Sequence, residues 1–244
     1  MIDFIRSLFE SALKTNDHLM FAVVTGCLRI SKESIFTGLN NLNVVSVLSS
    51  NFGEYFGFLQ EEVEEMLDFY EIGNYKEEAK TWYNGYLFGE SQVYNPWSVI
   101  NFVYNIANRT TTFAKPYWSN TSSNSIVREL VERADTQVRK EIELLLDGGT
   151  IEKPIHEDIT YGDVYDSQDN LWNFLFFTGY LKKCGERQEG ELCYLKMSIP
   201  NSEISYIYKN TILAWFDKKI QKTDMTPLIK AIETGDCETF GKFL

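Results

Sequence analysis

The distribution of apolar residues near the amino end predicts a helix followed by two strands. Between Asp3 and Lys14 the apolar positions fall on one stripe at helical spacing, which is typical of an amphipathic helix. Leu19–Val24 is an apolar run that is too short for a helix of its own, and it predicts a strand buried on both faces, as in a parallel sheet. Asn43–Leu48 predicts a second short strand. This order of elements indicates part of an α/β sheet.

From Gln60 to Asp147 the spacing of apolar residues is mostly helical. Gln60–Glu71 has apolar residues on one face and glutamates mostly on the other. Asn95-Pro96 supplies an N-cap and a first helical residue for a helix that extends to about Ala107. Further elements are a turn at Asn84-Gly85, a helix from Asn120–Ser123 to Arg133, and a helix over Thr136–Leu146 that ends at Gly148-Gly149.

After residue 149 the pattern changes to a mixture of strands and helices. The predicted elements are short extended pieces in Thr150–Val164, a helix over Asp169–Thr178 capped by Gly179, strands at Tyr180–Cys184 and Leu192–Ser198, a helix from Pro200-Asn201, and two short helices in Asp224–Leu244. Helices, a hairpin and a further helix in this order predict a winged-helix-like module.

The composition supports a packed core and argues against several classes of protein. Hydrophobic residues make up 44% of the 244 positions and aromatic residues 15%, far more than a disordered chain contains. No apolar run approaches the roughly 20 residues of a membrane span, and the amino end lacks the basic and apolar regions of a secretory signal. A net charge of −12 opposes nonspecific nucleic-acid binding, which requires a basic surface.

The cysteines and histidines predict no metal site. The four cysteines form no C-x-x-C pair, and His18 and His156 are far apart in sequence. Cys184 and Cys193 either face each other across the predicted hairpin or are free thiols in a reducing cytoplasm, where we expect the protein to reside. Both histidines lie in polar surroundings without a nucleophile motif, which predicts surface positions and no covalent catalysis.

Candidate chemistry lies directly after the first predicted strand. Ligands of open α/β sheets bind beyond the carboxyl ends of the strands, and the sequence places Thr25, Gly26 and Arg29 there. A hydroxyl and a planar guanidinium suit a phosphate-bearing ligand. Thr25 and Arg29 are therefore candidate cofactor-binding residues. The alternative is a strand-ending turn followed by a surface arginine.

The segment TGCLRISKESIFTGLNNL contains both residues and resembles the segment after the Walker B strand in the AAA-ATPase-like family. These are P-loop proteins that are often followed by a PD-(D/E)XK-type nuclease domain. The blocks FGFLQEEV, WYNGYLFG, VYNPWSVI, YWSNTSSN, LWNFLFFTGYL and IPNSEI match in the same order, and the resemblance covers roughly residues 2–216. It implies that Thr25 holds the attacking water or the γ-phosphate and that Arg29 senses the nucleotide or a neighbouring subunit.

The family's nucleotide-binding motifs are missing from this sequence. It has no G-x-x-x-x-G-K-[ST] loop and no apolar strand that ends in paired acidic residues suited to Mg²⁺. In the family both lie upstream of the residues that match Met1, so we expect the chain to be the downstream part of a larger protein. ATP and Mg²⁺ are expected only with that P-loop segment. Other expected partners are a nuclease domain, a protein partner or another copy of the chain.

Pattern and resemblance together predict an α+β, mainly α, fold in four parts. Residues 1–58 are a partial parallel α/β sheet with the sensor strand, 59–148 a helical lid, 149–220 the winged-helix-like module, and 221–244 a helical linker. The expected function is a nucleotide-dependent switch that controls a nuclease domain or a partner and is not catalytic alone. The alternative is an interaction scaffold that does not use nucleotide.

Two other features could indicate nucleic-acid binding. The aromatic blocks Trp82–Tyr86 and Tyr94–Trp97 predict either a platform for stacked bases or packing of the lid onto the sheet, and the lack of interleaved basic residues favours packing. The predicted wing has nearly balanced charge, which disfavours DNA binding: Lys182, Lys183, Arg187 and Lys196 against Glu186, Glu189 and Glu191.

Overall fold

The computed structural model describes residues 2–14, 16–26, 42–120, 127–129, 132, 135–157, 164, 166–222 and 226–236. Within them the chain has an α+β fold of helices and two small antiparallel sheets. The helices are α1 Ile2–Leu13, α2 Gln60–Phe69, α3 Lys76–Tyr83, α4 Pro96–Ala107, α5 Thr136–Leu146, α6 Gln168–Phe177, α7 Ser202–Lys222 and α8 Thr226–Thr234. The strands are β1 Tyr86–Phe88, β2 Ser91–Val93, β3 Ile151–Pro154, β4 Lys182–Glu189 and β5 Leu192–Ser198. None of these helices combines the length and apolar content that crossing a bilayer requires.

Helix α4 begins where the sequence predicts. The Asn95 side-chain oxygen accepts hydrogen bonds from the backbone N–H groups of Trp97 at 3.0 Å and Ser98 at 3.4 Å, and Pro96 is the first helical residue. The cap satisfies donors that a helix start leaves without intrahelical partners. The apolar face of α4 packs against α2, α3 and nearby residues in a first core. The buried residues of this core are Val63, Leu67, Ile72, Ala79, Tyr83, Tyr94, Val99, Phe102, Val103, Ile106 and Ala114.

After residue 149 the structure has the predicted order of elements, in which a helix is followed by a hairpin and a further helix. Strand β5 lies between β3 and β4, and both pairs are antiparallel. Helix α6 covers this sheet with Trp172 and Leu175, which are fully buried. The same core includes Tyr86 and Val93 from the β1–β2 hairpin together with residues of α5 and α7. This second core therefore contains residues that precede position 148 and residues that follow it, although the sequence predicts a boundary between two parts of the chain there.

The prediction of a buried parallel strand at Leu19–Val24 is wrong for this structure. The segment is irregular and every side chain in it is exposed, with Phe21 at 78%. Asn43–Leu48 also forms no strand. A strand needs a neighbour that supplies a ladder of hydrogen bonds, and no strand in the described part of the chain forms such a ladder with either run. The second run has a single main-chain bond of this kind, from the Gly89 N–H to the Val47 carbonyl at 2.8 Å. The apolar pattern therefore identified side chains suited to burial without identifying what would cover them.

Two smaller expectations need correction or fall outside the described residues. Cys184 and Cys193 are free thiols and do not face each other, because Cys193 pairs with Gln188 and Cys184 lies at a register shift of β4. The Cys184 sulfur is 3.0 Å from the Ser198 hydroxyl. The helix predicted from Asn120–Ser123 to Arg133 lies mostly outside the described residues.

Candidate functional site

Glu203 is a fully buried carboxylate in the first turn of α7. The Ser98 hydroxyl donates a hydrogen bond to its Oε2 at 2.8 Å, and the Trp118 backbone N–H donates to its Oε1 at 2.8 Å. Both donors are neutral. One carboxylate thus joins α7 to α4 and to the turn at Trp118.

The local structure around each partner fixes this arrangement. Ser98 is in the first turn of α4, where the Asn95 cap holds its backbone N–H. Asn201 caps α7, since its side-chain oxygen accepts from the Ile204 N–H at 3.1 Å. The Asn201 side-chain amide also donates to the Asn84 carbonyl at 2.9 Å. We refer to Asn84, Ser98, Trp118, Asn201 and Glu203 together as the α7 joint.

Aromatic rings next to the α7 joint exclude water from it. The Trp118 and Tyr180 ring centroids are 5.1 Å apart, and Tyr180 meets Tyr208 edge to face at 6.5 Å. Tyr86 is buried in the same core, and its ring lies 3.4 Å from the place where a Cβ of Gly179 would stand. Gly179 has a φ of +85°, so a glycine is favoured there on conformational grounds.

Burial raises the pKa of Glu203 to about 7, although the hydrogen bonds from Trp118 and Ser98 favour its charged form. Burial also raises the pKa of the Tyr86 phenol, and the nearby Glu203 charge adds to that rise. The α7 joint can therefore take up or release one proton near neutral pH. Ser98 and Glu203 are fully buried in it, whereas Trp118 and Asn201 are partly exposed, and the buried contact couples α7 to α4.

A half-open hollow of about 530 Å³ lies beside the same helices, lined by Trp82, Phe113, Ala114, Lys115, Pro116, Tyr117 and Tyr206. Tyr83 contacts one wall of this hollow, because its hydroxyl donates a hydrogen bond to the Lys115 carbonyl at 2.9 Å. The Glu78 carboxylate accepts from the Ala114 N–H at 2.7 Å. Burial raises the pKa of the Tyr83 phenol.

Of the two predicted nucleotide-binding residues, the structure describes Thr25, which is exposed in the irregular segment after Val24. Arg29 lies outside the described residues, so this site stays a prediction. His18 and His156 are exposed, as predicted. Among the described residues, no group of three or more histidine, cysteine or acidic side chains is arranged to hold a metal ion.

The aromatic blocks serve mainly to pack the helices. Tyr83 and Tyr94 are almost completely buried, and the Tyr83 ring contacts Phe102 at a centroid distance of 5.3 Å. Trp97 is the exception, at 53% exposed. These positions favour the packing interpretation of both blocks.

Two of the basic residues of the hairpin, Lys183 and Arg187, form ion pairs with neighbouring carboxylates. Arg187 pairs with Glu152 at 2.8 Å and with Glu189 at 2.6 Å, and Lys183 pairs with Glu186 at 2.7 Å. A phosphate backbone would have to displace these carboxylates. The geometry thus agrees with the charge argument against DNA binding by this hairpin.

Glu203 was missed by sequence reasoning. An acidic residue in the first turn of a helix is ordinary, because it interacts favourably with the helix dipole. Nothing in the local pattern distinguishes a buried carboxylate from an exposed one at this position. The contact that buries Glu203 comes from Ser98, more than 100 residues earlier in the chain.

Comparisons with known proteins leave the family open. No protein-family model matches the chain, and no solved structure matches it. A protein of Azotobacter chroococcum mcd 1, named "Uncharacterized protein in vnfD 5'region", is 30% identical over 129 residues. That stretch is 53% of this chain and 24% of the relative. The chain thus matches about a quarter of the relative's length, and the relative's name states no activity.

Proposed function

We propose that the chain is the sensor, lid and winged-helix-like part of an AAA-ATPase-like protein. In this proposal it works in the cytoplasm as a nucleotide-dependent switch that controls a nuclease domain or a protein partner, and it is not catalytic alone. The α7 joint is the observation that carries the proposal. A switch must transmit movement from one part of a chain to another, and Glu203 is the point at which α7 and α4 are tied.

The chemistry of the α7 joint favours two discrete arrangements. A buried carboxylate that lost Ser98 and Trp118 would be left without hydrogen bonds, which is strongly unfavourable in a low-dielectric interior. The contact is therefore either fully formed or open to water. Elements with two such states are what conformational switches use.

The exposed run Leu19–Val24 supports the sensor part of the proposal. Its apolar side chains suit a position inside a sheet, and an extended segment can add to a sheet edge through main-chain hydrogen bonds. The P-loop segment of the parent protein would supply that edge. Thr25 and Arg29 would then follow the strand at the rim where the nucleotide phosphates lie.

A thermal-shift titration with ATP–Mg²⁺ tests this proposal on two proteins, this chain and the longer protein with a P-loop segment that the proposal requires. The proposal predicts that only the longer protein is stabilised. In that protein Arg29→Ala should lower ATP turnover, while Lys80→Ala, which removes an exposed cation from α3, should not. Unchanged turnover in the Arg29→Ala protein would remove the sensor assignment.

An interaction scaffold that has lost nucleotide use is the second candidate, and the outer face of α4 favours it. Trp97, Ile100 and Tyr104 follow one another at helical spacing and are 53%, 52% and 66% exposed. Apolar side chains grouped in this way are common at protein–protein interfaces. This candidate predicts that ATP–Mg²⁺ stabilises neither protein.

A further inference from the structure

We propose that the loop Asn51–Gly57, here called the aromatic loop, is a docking surface for an arginine-containing segment of a partner protein. The proposal is independent of nucleotide use. It concerns a surface away from the α7 joint and depends on exposure, rigidity and charge.

The aromatic loop exposes three large rings. Phe52, Tyr55 and Phe56 are 58%, 74% and 57% exposed. Single exposed apolar residues are common, whereas three aromatic residues within five positions form a concentrated patch. Aromatic side chains also supply much of the binding energy at protein interfaces.

The loop is held rigidly against the β1–β2 hairpin. A Cβ at Gly53 would collide with the carbonyl oxygen of Phe88, and a Cβ at Gly57 would lie 2.6 Å from the Val93 Cβ. The Tyr55 N–H donates to the Phe52 carbonyl at 3.1 Å, which closes the turn. Rings on a fixed loop lose little conformational entropy when they bind, and this favours recognition.

Phe52 adopts a backbone conformation that does not suit its side chain. Its φ is +65°, in the left-handed region, where a residue other than glycine costs roughly 1 kcal/mol. An asparagine or a glycine would fit this turn without that cost. Strain that persists at an exposed aromatic residue is consistent with selection for what the ring contacts.

The charge around the loop selects the partner. From Leu42 to Tyr75 the chain has no lysine or arginine. Glu54 lies within the aromatic loop, is exposed, and forms no ion pair with any described residue. Glu90 is exposed in the turn between β1 and β2, against which the loop packs. The patch therefore combines aromatic faces with carboxylates.

Arginine is the side chain that fits both features. Its planar guanidinium stacks on aromatic rings and pairs with a carboxylate at the same time, whereas the lysine ammonium is more strongly hydrated. The Arg187 guanidinium of this chain already binds in this way, 4.6 Å from the Tyr194 ring centroid and paired with Glu152. The aromatic loop offers the same combination of groups to a partner.

Binding of two short dye-labelled peptides, measured by fluorescence anisotropy, tests the proposal. Arginine alternates with leucine in one peptide, and lysine replaces arginine in the other. We expect the intact chain to bind the arginine peptide several-fold more tightly. Tyr55→Ala combined with Phe56→Ala should weaken that binding about tenfold, and Glu54→Gln should weaken it about threefold. All three side chains are exposed, so melting curves should be unchanged.

A matched control separates recognition from general attraction to an acidic protein. Phe69 and Tyr70 are also exposed, at 79% and 51%, and they lie at the carboxyl end of the acidic helix α2. Replacing both with alanine should leave peptide affinity unchanged. The proposal is overturned if this control loses as much affinity as the loop variant, if the loop variant binds like the intact chain, or if both peptides bind equally well.

Discussion

The Ser98 hydroxyl donates a hydrogen bond of 2.8 Å to the buried Glu203 carboxylate, across a separation of 105 residues. Ser98 is itself fully buried, so in this folded arrangement both groups are shielded from water. The contact ties the first turns of α4 and α7 to each other. Its strength and its proton dependence are measurable on the chain alone.

Removing the Ser98 hydroxyl or the Glu203 carboxylate should destabilise the fold, and we expect the second loss to be larger. Ser98→Ala removes one hydrogen bond to a buried carboxylate and should lower the free energy of unfolding by about 2 kcal/mol. Glu203→Ala leaves both the Ser98 hydroxyl and the Trp118 N–H without an acceptor and should cost about 3 kcal/mol. Urea denaturation of the single and double variants gives the coupling between the two residues.

Ser202→Ala is the control for this pair, because Ser202 begins the same helix and its hydroxyl forms no hydrogen bond with a described residue. It should change stability by less than about 0.5 kcal/mol. Additive effects of Ser98→Ala and Glu203→Ala would contradict a direct coupling between the two side chains.

Stability should fall as pH rises through neutrality. The pKa of Glu203 is about 7 in the folded chain against an ordinary value of 4.5, so the folded state holds a proton that the unfolded state has released. This contribution is complete below pH 4.5 and is lost as pH rises through 7. Its full size is on the order of 3 kcal/mol. Urea unfolding between pH 5 and pH 8 measures it.

Glu203→Gln should remove most of that pH dependence, because glutamine stays neutral and keeps an oxygen for the Trp118 N–H. Glu61→Gln, on the exposed face of α2, serves as the control and should leave the pH dependence as it is. The same slope in the Glu203→Gln protein and the intact chain would show that the pKa of Glu203 is not raised.

Gly85 should tolerate a side chain much less well than Gly190. Both have positive φ, +103° and +61°, which costs an alanine roughly 1 kcal/mol at either position. A Cβ at Gly85 would also collide with the Pro200 carbonyl, whereas a Cβ at Gly190 meets no atom within 4 Å. We therefore expect Gly85→Ala to lower the melting temperature clearly more than Gly190→Ala. Equal shifts would mean that the backbone at Gly85 yields without cost.

The elements with strong local signals were predictable from the sequence. Asn95-Pro96 marks the start of α4 because the cap and the fixed proline φ act within a few residues. Gly148, with a φ of +81°, follows the end of α5 for a similarly local reason. The β4–β5 hairpin, which turns at Gly190, was predicted as well. Strand β4 extends to Glu189, whereas the sequence predicted that it would end at Cys184.

What the sequence could not provide was the partner of each buried or apolar group. Leu19–Val24 has the composition of an interior strand, and yet its burial depends on neighbours that periodicity does not identify. Glu203 shows the opposite case, since an ordinary acidic position becomes a buried one through contacts with Ser98 and Trp118. In both cases the deciding interactions join residues far apart in sequence.

Asn201 has two roles that substitutions can separate. Its side-chain oxygen caps α7 and its amide donates to the Asn84 carbonyl. Asn201→Ser keeps a cap and removes the donor to Asn84, whereas Asn201→Ala removes both. We expect Asn201→Ser to cost about 1 kcal/mol of unfolding free energy and Asn201→Ala about 2 kcal/mol.

Asn95→Ala provides the comparison, since the Asn95 side-chain oxygen also caps a helix, α4. This substitution should lower the free energy of unfolding by about 1 kcal/mol. Hydrogen exchange at the Ile204 and Trp118 amides distinguishes the effects. Exchange at Ile204 should accelerate only when the cap is lost, and exchange at Trp118 should accelerate whenever α7 shifts away from α4. If Asn201→Ser leaves stability and Trp118 exchange unchanged, the contact with Asn84 contributes nothing to the α7 joint.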